Sequence, residues 1–196
     1  MRTHRWSSAT VFAVGHSTRS IEEFVTLLWT HGVATVVDIR TIPRSRANPQ
    51  FNSDGLEEML PRVGIRYVHL AKLGGLRKRS KSAGGENAAW RNASFRAYAD
   101  YMQSEEFEEG LSELHDQLVF GPPALMCAEA LRWRCHRSLV ADVLVSRGAE
   151  VLHLESATRA TPHPLTAFAR VRRGHVTYPA DESSPFREVE AQSTPS

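Results

Sequence analysis

The run Ala124-Leu125-Met126-Cys127-Ala128-Glu129, followed by Cys135-His136-Arg137-Ser138, gathers residue types that can do chemistry together. An apolar segment delivers a thiol and a carboxylate into a turn. A second thiol, an imidazole and a guanidinium then open a helix. Both of the chain's cysteines lie here. Three roles are open to them. Cys127 can be a thiolate nucleophile, its pKa lowered by His136 or Arg137. Cys127, Cys135 and His136 can hold a metal, although their spacing fits no common zinc pattern and a fourth ligand such as His163 would be needed. Both can be packing residues, the commonest fate of free cysteine, though the polar neighbours of Cys127 argue against that. Cys135, at a helix start, is placed for activation. Glu129 can act as acid or base, with Asp38 as its paired carboxylate.

The elements that must position these groups follow from the hydrophobic pattern. Val11 to Val14 reads as a buried strand ending at Gly15. Ser20 and Glu23 form a capping box, and Ile21, Phe24, Val25 and Leu28 mark one helical face that Gly32 stops. Val33 to Ile39 is a second strand. Pro43 and Pro49 keep the loop from Arg40 to Asn52 out of helix. Leu56, Met59, Leu60 and Val63 mark a second helix, then Ile65 to Leu70 a third strand. A long glycine-rich, basic loop runs from Ala71 to Asn92. Helices follow from Ser94 and from about Ser104, and Gly121-Pro122 breaks the second of them. Pro123 to Ala128 is strand four, Leu139 to Leu144 marks another helix, and Glu150 to Leu154 is strand five. Alternation of this kind predicts an α/β domain: a mainly parallel sheet of about five strands with helices on both faces, making three layers. Residues 169–171 and 175–178 can pair across Arg173-Gly174 as a small C-terminal hairpin. The expected limits are a flexible start over 1–9, one domain over 10–179 and a polar, disordered tail over 180–196.

Ligands of parallel sheets bind beyond the carboxyl ends of the strands. Each predicted strand delivers polar groups there: His16-Ser17-Thr18, Asp38 with Arg40, His69 with Lys72, Gly74 and Gly75, Cys127 with Glu129, and His153 with Glu155. The turn at 16–18 offers backbone N–H groups at a helix start, which suit an anion, and His16 is a candidate acid–base group. Its alternative is an ordinary cap with a satisfied histidine. Asp38, at the end of an apolar strand, needs a partner or a job, and pairing with Arg40 is the plain alternative. Arg40, Arg44 and Arg46, with Asn48 and Gln50, make a donor-rich loop whose guanidinium forks match phosphate oxygens. Lys72, Arg77, Lys78, Arg79 and Lys81 are either a solvated run or a lid over phosphate. Trp90 and Phe95 can stack a base or fill the core.

Composition is that of an ordinary globular chain: 196 residues, 41% apolar, 23% charged. A net charge of +2 argues against a general nucleic-acid glue. Two cysteines make no disulfide framework, and Met1 to Ser8 lacks the apolar stretch of a secretory leader, so reduced thiols and a cytoplasmic location are expected. No apolar run approaches the ~20 residues that span a bilayer.

Taken in order, Gly-His-Ser-Thr at 15–18, Asp-Ile-Arg at 38–40, Pro43-Arg44-Ser45-Arg46 with residues 48–52, Tyr67 to Leu70 with Leu73-Gly74-Gly75, and Cys-Ala-Glu followed by Cys-His-Arg resemble the family called domain of unknown function 488. The likeness covers roughly residues 11 to 155. It implies a Rossmann-like α/β fold and a bacterial or archaeal cytosolic setting, and it supports His16, Asp38, Arg40, Arg44, Arg46, Cys127, Glu129, Cys135, His136 and Arg137 as site residues without naming a substrate. The Leu131 to Arg134 segment is more basic and aromatic than that family leads one to expect. Val36 to Arg40 is more distantly similar to the first strand of rhodanese domains, with Cys127 and Arg132 at that loop's spacing. The glycines of such a loop are missing here.

The expectation is an enzyme of hydrolysis or group transfer on a phosphate-bearing substrate, a nucleotide or nucleic acid. Arg40, Arg44, Arg46, Asn48, Arg137, Gly74, Gly75 and the Ser17 and Thr18 region would bind it. His16, Asp38, Cys127, Glu129, Cys135 and His136 would do the chemistry. No cofactor is expected beyond an open option for metal at Cys127, Cys135 and His136. The main rival is a non-catalytic nucleic-acid or nucleotide-binding module.

Overall fold

The structure, a computed structural model, describes residues 6–78 and 85–180. The expected disordered tail from 181 on, the first five residues, and Arg79 and Lys81 of the basic run lie outside them.

Six strands form one sheet: β1 (Thr10–Gly15), β2 (Thr35–Asp38), β3 (Arg66–His69), β4 (Pro123–Cys127), β5 (Glu150–Ser156) and β6 (Arg159–Pro162). Their spatial order is β3-β2-β4-β1-β5-β6. The first five are parallel and β6 returns antiparallel on β5. A separate hairpin pairs β7 (Arg170–Arg172) with β8 (His175–Thr177). Its turn puts Arg173 and Gly174 at positive φ, 50° and 77°, the geometry that two-residue hairpins favour.

Five helices cover the main sheet: α1 (Ile21–Thr30), α2 (Ser53–Arg62), α3 (Ala93–Tyr101), α4 (Glu105–Asp116) and α5 (Arg137–Ser146). Side chains alternate across each strand, and the core divides accordingly. Phe12, Val14, Val36 and Met126 face Phe24 and Leu28 of α1 and Leu56 and Leu60 of α2. Val11, Ala13, Val37, Leu125 and Cys127 face Tyr98, Leu111, Leu139 and Val140 from the other three helices. Each such large apolar side chain, fully buried, contributes about 1.5–3 kcal/mol. No helix among the described residues is long and apolar enough to cross a membrane.

Local signals set the boundaries. Ser20 caps α1 with both bonds of the capping box in place. Gly32 and Gly64 follow α1 and α2 at φ +68° and +78°. Asn92, rather than Ser94, caps α3 by accepting from the Ser94 and Phe95 amides. At the start of the chain, Trp6 is fully buried against His115, so the ordered body begins before residue 10.

The C-terminal segment is clasped to α5 by one fully buried carboxylate. Asp142 accepts from the Thr166 amide at 2.9 Å, His163 Nε2 at 2.9 Å and the Tyr178 hydroxyl at 2.8 Å. His163 Nδ1 in turn meets His153 Nε2 at 2.8 Å. Removing the carboxylate strands these donors in the interior. Asp142→Ala is expected to cost about 3 kcal/mol or more, because three buried donors lose their acceptor at about 1–3 kcal/mol each. Urea unfolding measures it, and a loss under about 1 kcal/mol, typical of an exposed pair, would show the clasp to be unimportant.

Candidate active site

β4 is central in the sheet, between β2 and β1, and its last residue is Cys127. The chain then crosses the carboxyl edge through residues 128–136 before α5. Two backbone bonds tie this crossing to the end of β1: His16 N donates to Cys127 O at 2.9 Å and Ser17 N to Ala128 O at 3.0 Å. Gly15 permits the approach, since a Cβ there would lie 2.0 Å from the Glu129 carbonyl oxygen. Arg137, almost wholly buried, donates to the Glu129 and Ala130 carbonyls at 2.7 and 3.1 Å and fixes the crossing from below.

A cavity of about 380 Å³ opens here. Its reactive lining is Cys127, Cys135, His136 and Glu129, with Arg44 and Arg134 as cations and Ile42, Leu76 and Phe95 as apolar walls. Sγ of both cysteines and a ring nitrogen of His136 lie within 4.8 Å of one another. His136 Nε2 is 3.0 Å from the Ile39 carbonyl, which can only accept, so Nε2 carries the proton. Nδ1 is turned toward the thiols, 3.9 Å from Cys135 Sγ. Tyr98 meets the imidazole edge-on, and Gly75 lies flat against it: a Cβ there would be 2.5 Å from Nδ1. A base oriented by a third group beside a thiol is the arrangement of an activated cysteine.

The two thiols are driven apart in acidity. The Cys135 thiol hydrogen-bonds to Cys127, and His136 and the Glu129 amide add to it, so the Cys127 pKa falls despite burial. The same bond from Cys135 to Cys127, together with burial, pushes Cys135 up. The directions are opposite because the two sulfurs share one hydrogen bond: the accepting sulfur is eased toward ionisation and the donating one is opposed.

Asp38, Arg40 and His16 have their polar atoms spent elsewhere. Asp38 is fully buried and does not line the cavity. Its oxygens accept from Arg40 Nε at 2.8 Å, from Arg40 Nη2 and from the Tyr67 hydroxyl at 2.8 Å, so it is no free partner for Glu129. Arg40 reaches the cavity wall, but its guanidinium also holds the Phe51 carbonyl at 2.7 Å and meets His16 Nε2 at 3.4 Å. Burial lowers the His16 pKa, and the ring is stacked on Phe51 at 4.2 Å, outside the cavity lining. His16 thus positions Arg40. In the 16–18 turn the His16 and Ser17 amides are taken by the Cys127 and Ala128 carbonyls. Thr18, Arg46 and Asn48 do not line the cavity either. Gly74 packs against Thr41, where a Cβ would sit 2.6 Å from Oγ1.

The basic loop is partly structural. Lys72 bridges Glu109 and Glu113, and Arg77 donates to three carbonyls while covering the Tyr101 ring. Trp90 packs with Phe168 and Tyr178, whereas Phe95 turns one side to the cavity. Arg134, Ile42 and Leu76 were not singled out as site residues from the sequence. Of these, only Arg134 left a signal, in the unusual basic and aromatic segment. His163, the suggested fourth metal ligand, is bound to Asp142 and His153 and is not part of the thiol cluster.

Fold and site together define an α/β protein with a thiol-lined pocket at the carboxyl edge of a mainly parallel sheet. The family model for the domain of unknown function DUF488 matches residues 20–144, more than half of the chain, and the protein belongs to that family. That span takes in every residue of the thiol cluster and leaves out His16, Ser17 and Thr18. No curated protein and no solved structure matches the chain.

The lowered Cys127 pKa fixes a sign for pH dependence. An ordinary thiol loses reactivity about tenfold per unit below a pKa of about 8.5. Cys127 should keep its alkylation rate with iodoacetamide well below pH 7, read by mass spectrometry of the peptide. Gly75→Ala, by displacing His136, should move the fall-off to higher pH. A wild-type rate that already drops tenfold per unit below pH 8 would refute the thiolate.

Proposed function

We propose that the protein is an enzyme of group transfer or hydrolysis acting on a phosphate-bearing substrate, a nucleotide or nucleic acid, with Cys127 as nucleophile. The observation that carries this reading is the His136 imidazole, fixed by the Ile39 carbonyl, within 4.8 Å of the Cys127 sulfur in a cavity also lined by Arg44 and Arg134. The apolar walls Ile42, Leu76 and Phe95 suit a base, and the cations suit the phosphate.

The residues divide the work as follows. Cys127 sulfur bonds to the transferred group as the bond to the leaving group breaks. The leaving group takes its proton from the Glu129 carboxyl, which acts as the general acid. In the second half Glu129 takes a proton from water or an acceptor, whose oxygen displaces the sulfur and restores the thiolate. Cys135 holds the resting thiolate by its hydrogen bond. The half-buried Glu129 side chain accepts from the Leu131 amide at 3.1 Å, which keeps the carboxyl at the cavity's edge.

Thermal-shift screening with nucleotides, sugar phosphates and short oligonucleotides identifies the ligand. A ligand at about 100 times its Kd stabilises the fold by about 2.7 kcal/mol. With a turned-over ligand in hand, Cys127→Ser and Glu129→Gln should each lower kcat by about 10²–10⁴ while leaving the melting temperature of the free protein near wild type. Full activity in both variants would rule the assignment out.

A metal at Cys127, Cys135 and His136 is the second reading. The Nε2–H bond to the Ile39 carbonyl is also how a histidine ligand is held from behind, and the cavity would supply the fourth position. Elemental analysis of untagged protein decides it: close to one zinc per chain supports the metal, and less than about a tenth counts against it.

A further inference from the structure

Beside the cavity mouth the chain displays a basic, aromatic turn that the chemistry above leaves unused. Within residues 131–134, Leu-Arg-Trp-Arg, Arg132–Arg134 form a single turn of 3₁₀ helix that Leu131 precedes. Its shape is fixed. The Arg134 amide donates to Leu131 O at 3.0 Å, the Cys135 amide to Arg132 O at 3.1 Å, and the Ser138 hydroxyl to that same carbonyl. Trp133 at its tip is 66% exposed.

One exposed indole is unremarkable on a surface. The setting of this one is not. Arg132 and Arg134 flank it, and neither meets a carboxylate among the described residues. Arg134 itself lines the cavity. Arg46, on the neighbouring loop, is likewise unpaired among the described residues. Arg44 reaches only Asp54, at 3.3 Å, with both side chains about 70% exposed. Ile42 and Leu76, both exposed, and the half-buried Phe95 line the same cavity. The cavity lining thus joins apolar side chains to arginines, and an exposed indole stands next in the chain to one of those arginines. A polynucleotide single strand presents the matching sequence of base, phosphate, base.

We propose that the cavity and the 131–134 turn together bind single-stranded nucleic acid, one nucleotide entering the cavity and its neighbour stacking on Trp133. The proposal rests on the reading of the cavity as a nucleotide site and narrows its substrate class. At about 380 Å³ the cavity is at the small end of ligand pockets, about 300–1,000 Å³, which suits one unstacked nucleotide rather than a duplex. A free mononucleotide would leave Trp133 without a role.

Fluorescence anisotropy with a fluorescein-labelled oligodeoxythymidine of twelve nucleotides tests this, with thymidine monophosphate measured in parallel by calorimetry. The oligomer should bind more tightly than the monophosphate, and its affinity should fall with salt by about 0.7 log unit per log unit of salt for each phosphate contact. Trp133→Ala should weaken the oligomer about tenfold or more, as loss of a stacked base does, and leave monophosphate affinity unchanged. Arg132→Ala should flatten the salt dependence. Binding of the oligomer that is indifferent to Trp133→Ala overturns the proposal. So does an oligomer that binds no tighter than the monophosphate, in which case the cavity reading survives. If the monophosphate does not bind either, both readings fall together.

Discussion

A carboxylate buried at the end of a β-strand is costly unless something opposite in charge is buried with it. Asp38 is such a carboxylate, and Arg40, two residues on, is its answer. That pair organises the rim. Because Arg40 must fold back on Asp38, its guanidinium is brought under the loop that follows β2, where it takes the Phe51 carbonyl and faces His16. Because its backbone carbonyl is left pointing outward, His69 at the end of β3 can reach it at 2.7 Å. Tyr67 closes the remaining side of the carboxylate, and its hydroxyl is held protonated by burial and by the Asp38 charge. The ends of β1, β2 and β3 are thus joined by one polar network. The thiol cluster sits against that network, with the Ile39 carbonyl as the link to His136.

Much of the fold was legible from hydrophobic period and punctuation. The five parallel strands, the five helices and the hairpin at Arg173-Gly174 all follow from runs of apolar residues bounded by caps and glycines. β6 was not, because Arg159 to Pro162 has no apolar alternation and is a strand only by virtue of its neighbour. Edge strands of this kind are short and polar, and a proline fits at their end because no further strand needs its amide. The N-terminal segment is hard to read for a related reason. Trp6 lies in a polar stretch, and only tertiary packing shows that it is core.

The candidate site was legible as a place but not as a division of labour. Sequence order puts His16, Asp38, Arg40 and Cys127 at one edge, and so they are found. What order does not carry is which face of the sheet each side chain leaves from. His16 follows Val14, which packs under α1 and α2, and its ring stacks on Phe51 in that layer. Cys127 follows the parity of Leu125 and faces the layer of α3 and α5. Two neighbours on adjacent strands therefore serve different layers, one as a prop and one as a reactive group. Nor does sequence reveal that a charged residue is already engaged by backbone, as Arg137 is by the two carbonyls it holds while its Nε stays without a partner.

The contact between Gly75 and the His136 ring has a consequence across relatives of this chain. The two positions are 61 residues apart in sequence, yet the space at one is defined by the group at the other. A methyl at 75 can be accommodated only where the side chain at 136 is smaller or turned away, and an imidazole at 136 in this orientation demands hydrogen at 75. In an alignment of the family the pair should vary together, with glycine retained wherever the histidine is, so their joint substitution pattern is a record of whether the imidazole's orientation has been under selection.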